Sequence, residues 1–167
     1  MEKLMSLQKY VRQVRPRNES HTSPVDKIQN FLTEISVWKF LYGKHKGEFY
    51  RGVSEKGTGV GLGALGVGVY LTWEEGMAKV FAKQHGVGGE VKKFKIKRGL
   101  KMVDVQDKDY ADVKKGMGFE PWEYSDTMGY AALLTRGLQK LKYDGVVSDK
   151  AVEGIVVFDK KNVTEVK

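Results

Sequence analysis

EFYRGV (residues 48–53), GVGVYLT (residues 66–72) and VEGIVVF (residues 152–158) are three short runs that set the architecture of this chain. Each is rich in β-branched and aromatic residues, which is typical of β-strands. Glycine dominates the chain between the first two runs, and we expect the backbone there to approach a ligand closely, because glycine has no side chain to block the approach. The third run places the carboxylate of Glu153 at the head of an apolar strand, so we expect that charge at the rim of a sheet.

Together these runs resemble the ADP-ribosyltransferase superfamily, in the form of the diphtheria toxin and poly-ADP-ribose polymerase catalytic fold. The resemblance is carried by Tyr-Arg-Gly at 50–52, Gly-Val-Tyr-Leu-Thr at 68–72, a following helix with Ala78 and Phe81, and Glu153 leading a later strand. Their order and strand context make the combination more specific than any single piece. The resemblance implies an α+β fold with a split β-sheet core, flanking helices and N-terminal helices. It also implies NAD as a substrate, with no metal.

The resemblance further implies a variant Arg-Tyr-Glu catalytic motif made of Arg51, Tyr70 and Glu153. In the family, the arginine or histidine contacts the ribose or the phosphates of NAD. The glycine after it, here Gly52, holds the nicotinamide carboxamide through its backbone, and an aromatic pair, here Tyr70 and Phe81, encloses the nicotinamide. The residues that the resemblance assigns to NAD binding are Arg51, Gly52, Val53, Tyr70, Thr72 and Phe81.

Two positions depart from the family pattern. Arginine-directed members carry a second glutamate two residues before the catalytic one, whereas this chain has Ala151 there, so arginine is not the expected acceptor. Members of the poly-ADP-ribose polymerase branch begin the motif with histidine, and members that begin with arginine usually continue with Ser-Thr-Ser. This chain instead combines Arg51 with Tyr70. The subclass stays open, as does an inactive homologue that binds NAD without turnover.

The presence of a charged side chain at Arg51 needs a physical explanation, because the predicted strand around it is mostly apolar or aromatic. An unpaired guanidinium in such a strand would cost on the order of several kcal/mol if it were buried. A diphosphate, or a carboxylate such as Glu153, would supply the missing negative charge. A purely structural ion pair is the alternative.

Composition sets the class of protein. The chain has 167 residues, of which 41% are hydrophobic, and this is the usual size and composition of one folded domain. It has no run of apolar residues long enough to span a membrane, and its first residues lack the apolar core of a signal peptide. We therefore expect a soluble, cytoplasmic protein that does not bind membranes. Its location would be the host cytoplasm if the chain comes from a virus or a mobile element.

The net charge and the residue types that bind metals indicate which partners and ligands to expect. The net charge of +8 favours an acidic partner such as nucleic acid or a phosphate-bearing ligand, with simple solubility as the alternative. Cysteine is absent, and the three histidines fall at no metal-ligand spacing, so we expect no metal site.

Two regions are predicted along the chain. Residues 1–22 read as a basic amphipathic helix and linker, which either lies on a nucleic acid or a target protein or packs on the domain. Residues 23–167 form the ADP-ribosyltransferase-like domain. The domain opens with a helix from residue 24 to about 42 that is capped by Ser23, and its apolar face is predicted to be buried, with Trp38 in the core. The face consists of Ile28, Phe31, Leu32, Ile35, Trp38 and Leu41.

Several other segments receive a prediction. Residues 57–68, which alternate glycine with other residues, are predicted to form a mobile loop over the bound dinucleotide, with flexible linkage as the alternative. Residues 73–84 and 128–141 read as helices. Residues 89–97 read as a strand with a strongly basic exposed side, which meets phosphates or simply faces solvent. Residues 106–126 fit no clear element, and three aromatic residues there would read the target or pack on the sheet: Phe119, Trp122 and Tyr124.

The function implied by the resemblance is mono-ADP-ribosyl transfer. Such an enzyme cleaves the nicotinamide–ribose bond of NAD and transfers ADP-ribose to a protein or nucleic-acid acceptor, with NAD hydrolysis as a side reaction. Glu153 would stabilise the positive charge that grows on the sugar, as carboxylates do in glycoside hydrolysis. Two alternatives stay open: an RNA 2'-phosphotransferase on the same fold, and a basic module that binds nucleic acid or NAD without catalysis.

Overall fold

The computed structural model describes residues 24–53, 60–84, 89–118, 128–148 and 154–167. The predicted basic helix and linker, the aromatic residues of 119–127 and Glu153 itself lie outside these ranges. The described helices are α1 (Pro24–Trp38), which continues as a π-helical turn (Lys39–Lys44), α2 (Glu75–Gln84), α3 (Lys108–Gly116) and α4 (Met128–Lys140). The described strands are β1 (Glu48–Val53), β2 (Gly61–Gly63), β3 (Gly66–Leu71), β4 (Glu90–Ile96), β5 (Met102–Asp104), β6 (Gly145–Val147), β7 (Ile155–Val157) and β8 (Val163–Val166).

The strands form two sheets, so the chain has the predicted α+β class. A three-stranded sheet has the order β1-β4-β8, and a five-stranded sheet has the order β2-β3-β7-β6-β5. The strand pairs are antiparallel, except that β5 pairs with β6 in parallel. Helix α2 follows β3 and packs on β1 of the three-stranded sheet. Helix α4 packs on β3 of the five-stranded sheet.

The two sheets meet at a junction that we call the seam, formed by Tyr50 and Thr72. The backbone N–H of Tyr50 donates to the carbonyl oxygen of Thr72 at 2.7 Å, and the N–H of Thr72 donates to the carbonyl oxygen of Tyr50 at 2.8 Å. This pair is an isolated antiparallel bridge between strands that otherwise belong to different sheets. The seam therefore fixes where β1 lies relative to the end of β3.

Two apolar clusters cover opposite faces of the five-stranded sheet. Successive side chains of a strand point to opposite faces, and β7 follows this rule. Ile155 and Val157 belong to one cluster, and Val156 belongs to the other. The first cluster also takes in Phe49 of β1, whereas the second takes in Leu134 of α4. The middle of β7 is therefore buried on both sides.

Helix α1 begins where predicted, but its apolar face is not buried along its length. Val37 and Leu41, at the end of the helix and in the π-helical turn, are 6% and 1% exposed. By contrast, Leu32 and Trp38 are each 53% exposed, and Ile28 is 60% exposed. The predictions that Trp38 is a core residue and that this whole face is buried are therefore wrong. The apolar stripe is longer than the sheet beneath it, and the first cluster reaches only its C-terminal end.

The glycine-rich segment is a hairpin over its described part. Strand β2 pairs with β3 so that Gly61 lies opposite Gly68. In the turn between them Leu65 is 6% exposed, and the N–H of Val67 donates to Oγ1 of Thr135 in α4 at 2.7 Å. Residues 60–68 are thus a hairpin packed on α4 rather than the predicted mobile loop, because Leu65 is buried with the second cluster. Residues 57–59 lie outside the described ranges.

The segment after β5, for which the sequence predicted no element, contains α3. Asp107 caps this helix, and its side chain accepts a hydrogen bond from the N–H of Asp109 at 2.8 Å. The helix buries Tyr110 and Val113 against the second cluster. Two apolar residues in a largely charged run leave a weak periodic signal, which is why the helix was not predicted.

Candidate functional site

A cavity of about 220 Å³ lies at the seam. Its lining includes five of the six residues assigned to NAD binding, which are Arg51, Gly52, Tyr70, Thr72 and Phe81. The sixth, Val53, follows Gly52 in β1 and is not among the lining residues. Residues from β1, from the end of β3 and from α2 thus converge on one cavity.

Other residues complete the wall of this cavity, and the sequence analysis assigned no NAD-binding role to them. Gly61 and Leu62 of β2 line it, together with Tyr50 of the seam and Leu71. The alternation of glycine with other residues in this segment was the available signal, because a period of two places all the glycines of a strand on one face. Such a face is bare, so a neighbouring side chain or a ligand can lie directly on the backbone.

Packing requires glycine at position 52, independently of any contact that its backbone makes with a ligand. A Cβ atom added to Gly52 would lie 2.9 Å from the Cα atom of Ala82, and closer still to the carbonyl oxygen of Ala78. Both alanines are buried, so α2 lies directly on the backbone of β1. The same close approach brings Phe81, which is adjacent to Ala82, to the cavity wall.

Tyr70 is held in the cavity wall by its own hairpin. Its hydroxyl donates a hydrogen bond to the carbonyl oxygen of Gly66 at 2.7 Å. The ring lies on the bare face of β2, where a Cβ atom added to Gly61 would lie 2.9 Å from Cδ2 of the ring and one added to Gly63 would lie 2.7 Å from the hydroxyl oxygen. The ring is therefore fixed before any ligand arrives.

Arg51 brings positive charge to the cavity. Burial lowers the pKa of its guanidinium below the ordinary value. An arginine nevertheless stays protonated at neutral pH. A cation that is partly removed from water interacts more strongly with an anion than one in bulk solvent, so this side of the cavity suits a phosphate or a carboxylate.

The carboxylate predicted to act in catalysis, Glu153, lies outside the described residues. The next residue, Gly154, is buried, and its carbonyl oxygen accepts a hydrogen bond from the N–H of Ser148 at 2.7 Å. One position further along, Ile155 is paired with Leu71, which lines the cavity. The strand that begins after Glu153 therefore runs directly beside the cavity wall.

Two of the lysines predicted to form a basic face on β4, Lys92 and Lys93, are engaged with acidic side chains. Lys92 forms ion pairs with Glu90 at 3.0 Å and with Glu165 at 3.2 Å, and Lys93 pairs with Glu48 at 2.9 Å. Exposed pairs of this kind contribute little to stability, but they reduce the positive potential of the surface. They weaken the case for a phosphate-binding strand face.

An aromatic cluster lies next to the seam and consists of Phe40, His45 and Trp73. The ring of Phe40 meets that of Trp73 edge to face, with centroids 5.4 Å apart and planes at 88°. It also meets the His45 ring at 4.9 Å and 66°. Among the described residues, Nε2 of His45 has no hydrogen-bond partner. Burial, and secondarily the charge of Lys44, lowers the pKa of His45 below its ordinary value.

This lowered pKa predicts a pH dependence of stability. The folded chain binds a proton at His45 less readily than the unfolded chain does. The contribution of neutral His45 to the free energy of unfolding is therefore fully present above the unfolded pKa of about 6.5, and it is lost as the pH falls through the lowered pKa of the folded chain. We expect the melting temperature to fall more in the native chain than in His45→Phe between about pH 7.5 and about pH 5.5. Thermal unfolding followed by circular dichroism measures this, and equal falls in the two proteins would show that His45 is not the group responsible.

Comparisons of the chain with protein-family models, with curated proteins and with solved structures find no match. Function must therefore be inferred from the cavity and the residues around it. Within the described ranges, none of the helices has the length and apolar character to cross a lipid bilayer. In the same ranges, no three His, Asp or Glu side chains are grouped so as to hold a metal ion.

Proposed function

We propose that this chain is a mono-ADP-ribosyltransferase that cleaves the nicotinamide–ribose bond of NAD and transfers ADP-ribose to a macromolecular acceptor. The observation that carries the proposal is the convergence of Arg51, Tyr70 and Phe81, with the backbone of Gly52, on one cavity at the seam. A cation, aromatic rings and the backbone of a glycine in the cavity wall are groups suited to bind a phosphate-linked, flat, amide-bearing ligand.

In the proposed complex, the nicotinamide ring occupies the cavity beside Tyr70 and Phe81. Aromatic stacking contributes about 0.5–1.5 kcal/mol beyond the burial of area. A cavity of about 220 Å³ is smaller than the usual pocket for a whole cofactor, so the adenosine half of NAD lies outside it. Arg51 then pairs with the diphosphate or the nicotinamide ribose, where its charge is complementary.

The proposed reaction breaks the bond between C1' of the ribose and the ring nitrogen of nicotinamide. Nicotinamide keeps the bonding electron pair and leaves as a neutral molecule, and positive charge develops on the ribose. Glu153 accepts a hydrogen bond from the 2'-hydroxyl and stabilises that charge. The acceptor, or water in the side reaction, forms the new bond to C1' and loses its proton, for which Glu153 is a suitable base.

The described residues favour neither an RNA 2'-phosphotransferase nor a nucleic-acid-binding module, whereas a module that binds NAD without turnover would use the same cavity. An RNA 2'-phosphotransferase surrounds its phosphate with several cations, whereas Arg51 is the one lysine or arginine among the described lining residues. A nucleic-acid-binding module would use an unneutralised basic surface, yet Lys92 and Lys93 are paired with glutamates. The acceptor is a protein or a nucleic acid, and the presence of Ala151 in place of a second glutamate argues against arginine.

The test of this function is incubation of the purified chain with NAD labelled in its adenylate half, with and without a cell lysate. We expect release of free nicotinamide in both cases, and transfer of label to protein or nucleic acid when the lysate is present. Nuclease and protease treatment of the product then identifies the acceptor class. Intact NAD and unlabelled macromolecules after prolonged incubation would contradict the proposal.

Arg51→Ala is expected to weaken NAD binding by about 10-fold to 100-fold, because a charge-assisted hydrogen bond to the ligand is worth about 1.5–3 kcal/mol. Isothermal titration calorimetry measures the dissociation constant. Arg136→Ala is the matched control, since Arg136 is exposed on α4 and does not line the cavity. Similar dissociation constants for native chain and Arg51→Ala would show that Arg51 does not contact NAD.

A further inference from the structure

Thr135 is a buried polar residue of α4 that contacts the hairpin formed by β2 and β3. Its side chain is 9% exposed, and its Oγ1 atom accepts a hydrogen bond from the backbone N–H of Val67 at 2.7 Å. The pairing of β3 with β7 covers Val69 to Leu71, so Val67 lies beyond the end of that ladder. A backbone N–H that is removed from water needs a partner. Thr135 supplies one where the neighbouring strand does not reach.

Gly66, the residue before Val67, lies directly on α4. Its φ of +116° is a backbone conformation that glycine adopts without strain. A Cβ atom there would lie 2.5 Å from Oγ1 of Thr135 and 3.8 Å from the carbonyl oxygen of Ala131. Leu65 also anchors the turn by burial, but apolar burial is non-directional and does not orient the peptide group that follows. The hydrogen bond to Thr135 supplies that orientation.

A single peptide group joins Thr135 to Tyr70. The carbonyl oxygen of Gly66 and the N–H of Val67 belong to the same planar unit, because a peptide bond links these two residues. The N–H donates to Thr135 at 2.7 Å, and the carbonyl oxygen accepts from the hydroxyl of Tyr70 at 2.7 Å. The two ends of a planar unit cannot turn independently, and hydrogen bonds arranged in a chain strengthen one another. Rotation of this one peptide plane would break both bonds.

The ring of Tyr70 that this chain of bonds holds is part of the seam cavity. Tyr70 lines the cavity, and a Cβ atom added to Gly61 would lie 2.9 Å from Cδ2 of the ring. Thr135 is not among the lining residues. Any effect of Thr135 on a ligand in the cavity is therefore transmitted through the hairpin.

We propose that Thr135 is a positioning residue for Tyr70, acting through the peptide group between Gly66 and Val67. Its hydroxyl holds that peptide plane in the orientation in which the carbonyl oxygen receives the hydroxyl of Tyr70, and so keeps the ring in the cavity wall. The consequence for NAD rests on the proposed function, in which nicotinamide stacks on this ring. When only a fraction of the molecules has the ring in place, the apparent affinity for the ligand falls by that fraction.

Thr135→Val tests the proposal by NAD binding. Valine has nearly the shape of threonine but lacks the hydroxyl, so the peptide plane loses its partner in α4. We expect the dissociation constant for NAD to rise about 10-fold, which corresponds to a ring in place in about one molecule in ten. Thr135→Ser keeps the hydroxyl and should bind NAD as the native chain does. Thr164→Val, the same change at an exposed threonine of β8, is the control. Isothermal titration calorimetry measures each constant.

The double variant Thr135→Val with Tyr70→Phe asks whether the effect passes through the hydroxyl of Tyr70. Phenylalanine keeps the ring but cannot donate to the carbonyl oxygen of Gly66. If the peptide group is the link, Thr135→Val weakens NAD binding much less in the Tyr70→Phe background than in the native chain, because the bond that it disturbs is already absent. Effects of the two changes that multiply in full would show that Thr135 acts by another route, and would overturn the proposal.

A third measurement needs no NAD. The close contact between the ring of Tyr70 and the backbone of Gly61 gives a strong nuclear Overhauser effect between ring and α protons in the native chain. We expect this effect to weaken in Thr135→Val and to persist in Thr135→Ser and Thr164→Val. Effects between Val69 and Val157, which are paired in the sheet, should persist in every variant.

The outcomes separate this inference from the proposed function. An undiminished effect between Tyr70 and Gly61 in Thr135→Val would overturn the positioning role, even if the chain binds and cleaves NAD. Loss of the effect between Val69 and Val157 in Thr135→Val would also overturn it, because the hydroxyl would then hold the sheet rather than the ring. A weakened effect at Tyr70 alone, in a chain that does not bind NAD, would overturn the proposed function and leave the positioning role intact.

Discussion

Glu153→Gln is expected to slow the release of nicotinamide from NAD by about 100-fold to 1,000-fold, while the dissociation constant for NAD changes little. Loss of one preorganised electrostatic group in an active site has effects of this size. Glutamine retains the shape and one oxygen that accepts hydrogen bonds, but it lacks the negative charge that would stabilise the developing oxocarbenium ion in the proposed reaction. Single-turnover measurement of nicotinamide release, with calorimetry for binding, separates the two quantities.

The matched control for this variant is Glu165→Gln. Glu165 is an exposed residue of β8 that pairs with Lys92, and it does not line the cavity. Its loss should leave release of nicotinamide unchanged, since exposed ion pairs contribute little. If Glu153→Gln keeps the rate of the native chain, Glu153 is not the catalytic carboxylate and the Arg-Tyr-Glu motif is wrong for this protein.

Gly52→Ala is expected to lower the free energy of unfolding by about 3 kcal/mol, the upper part of the range for overpacked sites. The added methyl group meets the backbone of α2 at Ala78 and Ala82, which cannot turn away as a flexible side chain could. For a chain of this length, a loss of that size lowers the melting temperature by about 10 °C. Differential scanning calorimetry gives both values.

Gly76→Ala provides the control for the same chemical change within α2. A Cβ atom at Gly76 meets nothing within 4 Å, and alanine is the better helix former, so the variant should be neutral or more stable by up to about 1 kcal/mol. A native-like melting temperature for Gly52→Ala would mean that α2 does not lie on β1 as closely as described. The cavity wall formed by Phe81 would then be in doubt as well.

Most strands and helices could be predicted because their signals are local. The apolar runs at β1, β3 and β7, and the periodicity of α1, need only neighbouring residues to be recognised, whereas the predicted cap Ser23 lies outside the described residues. The burial of α1 could not be predicted in the same way. Its apolar stripe includes Ile28 and Trp38, but whether a sheet lies beneath each residue depends on strands that come much later in the chain.

The residues of the seam cavity show the same difference between local signals and contacts that depend on other parts of the chain. The residue types at Arg51, Gly52, Tyr70 and Phe81 could be selected from the sequence, and the structure brings them to one cavity. The seam that joins them depends on backbone hydrogen bonds between distant segments, which any residue can make and which therefore leave no mark in the sequence. A Cβ atom added to Gly154 would lie 2.5 Å from Cε3 of Trp73, and this contact could not be predicted because nothing local shows which side chain fills the space above a glycine.

A crystal structure of the Glu153→Gln chain with NAD would test most directly whether the seam cavity is the NAD site. We expect the nicotinamide ring beside Tyr70 and Phe81 in the seam cavity, with the guanidinium of Arg51 on the ribose or the diphosphate and residue 153 at the 2'-hydroxyl. Dinucleotide bound elsewhere, for instance in the groove that includes Lys97, Lys142 and Lys161, would contradict it, as would an empty seam cavity at a saturating concentration of NAD.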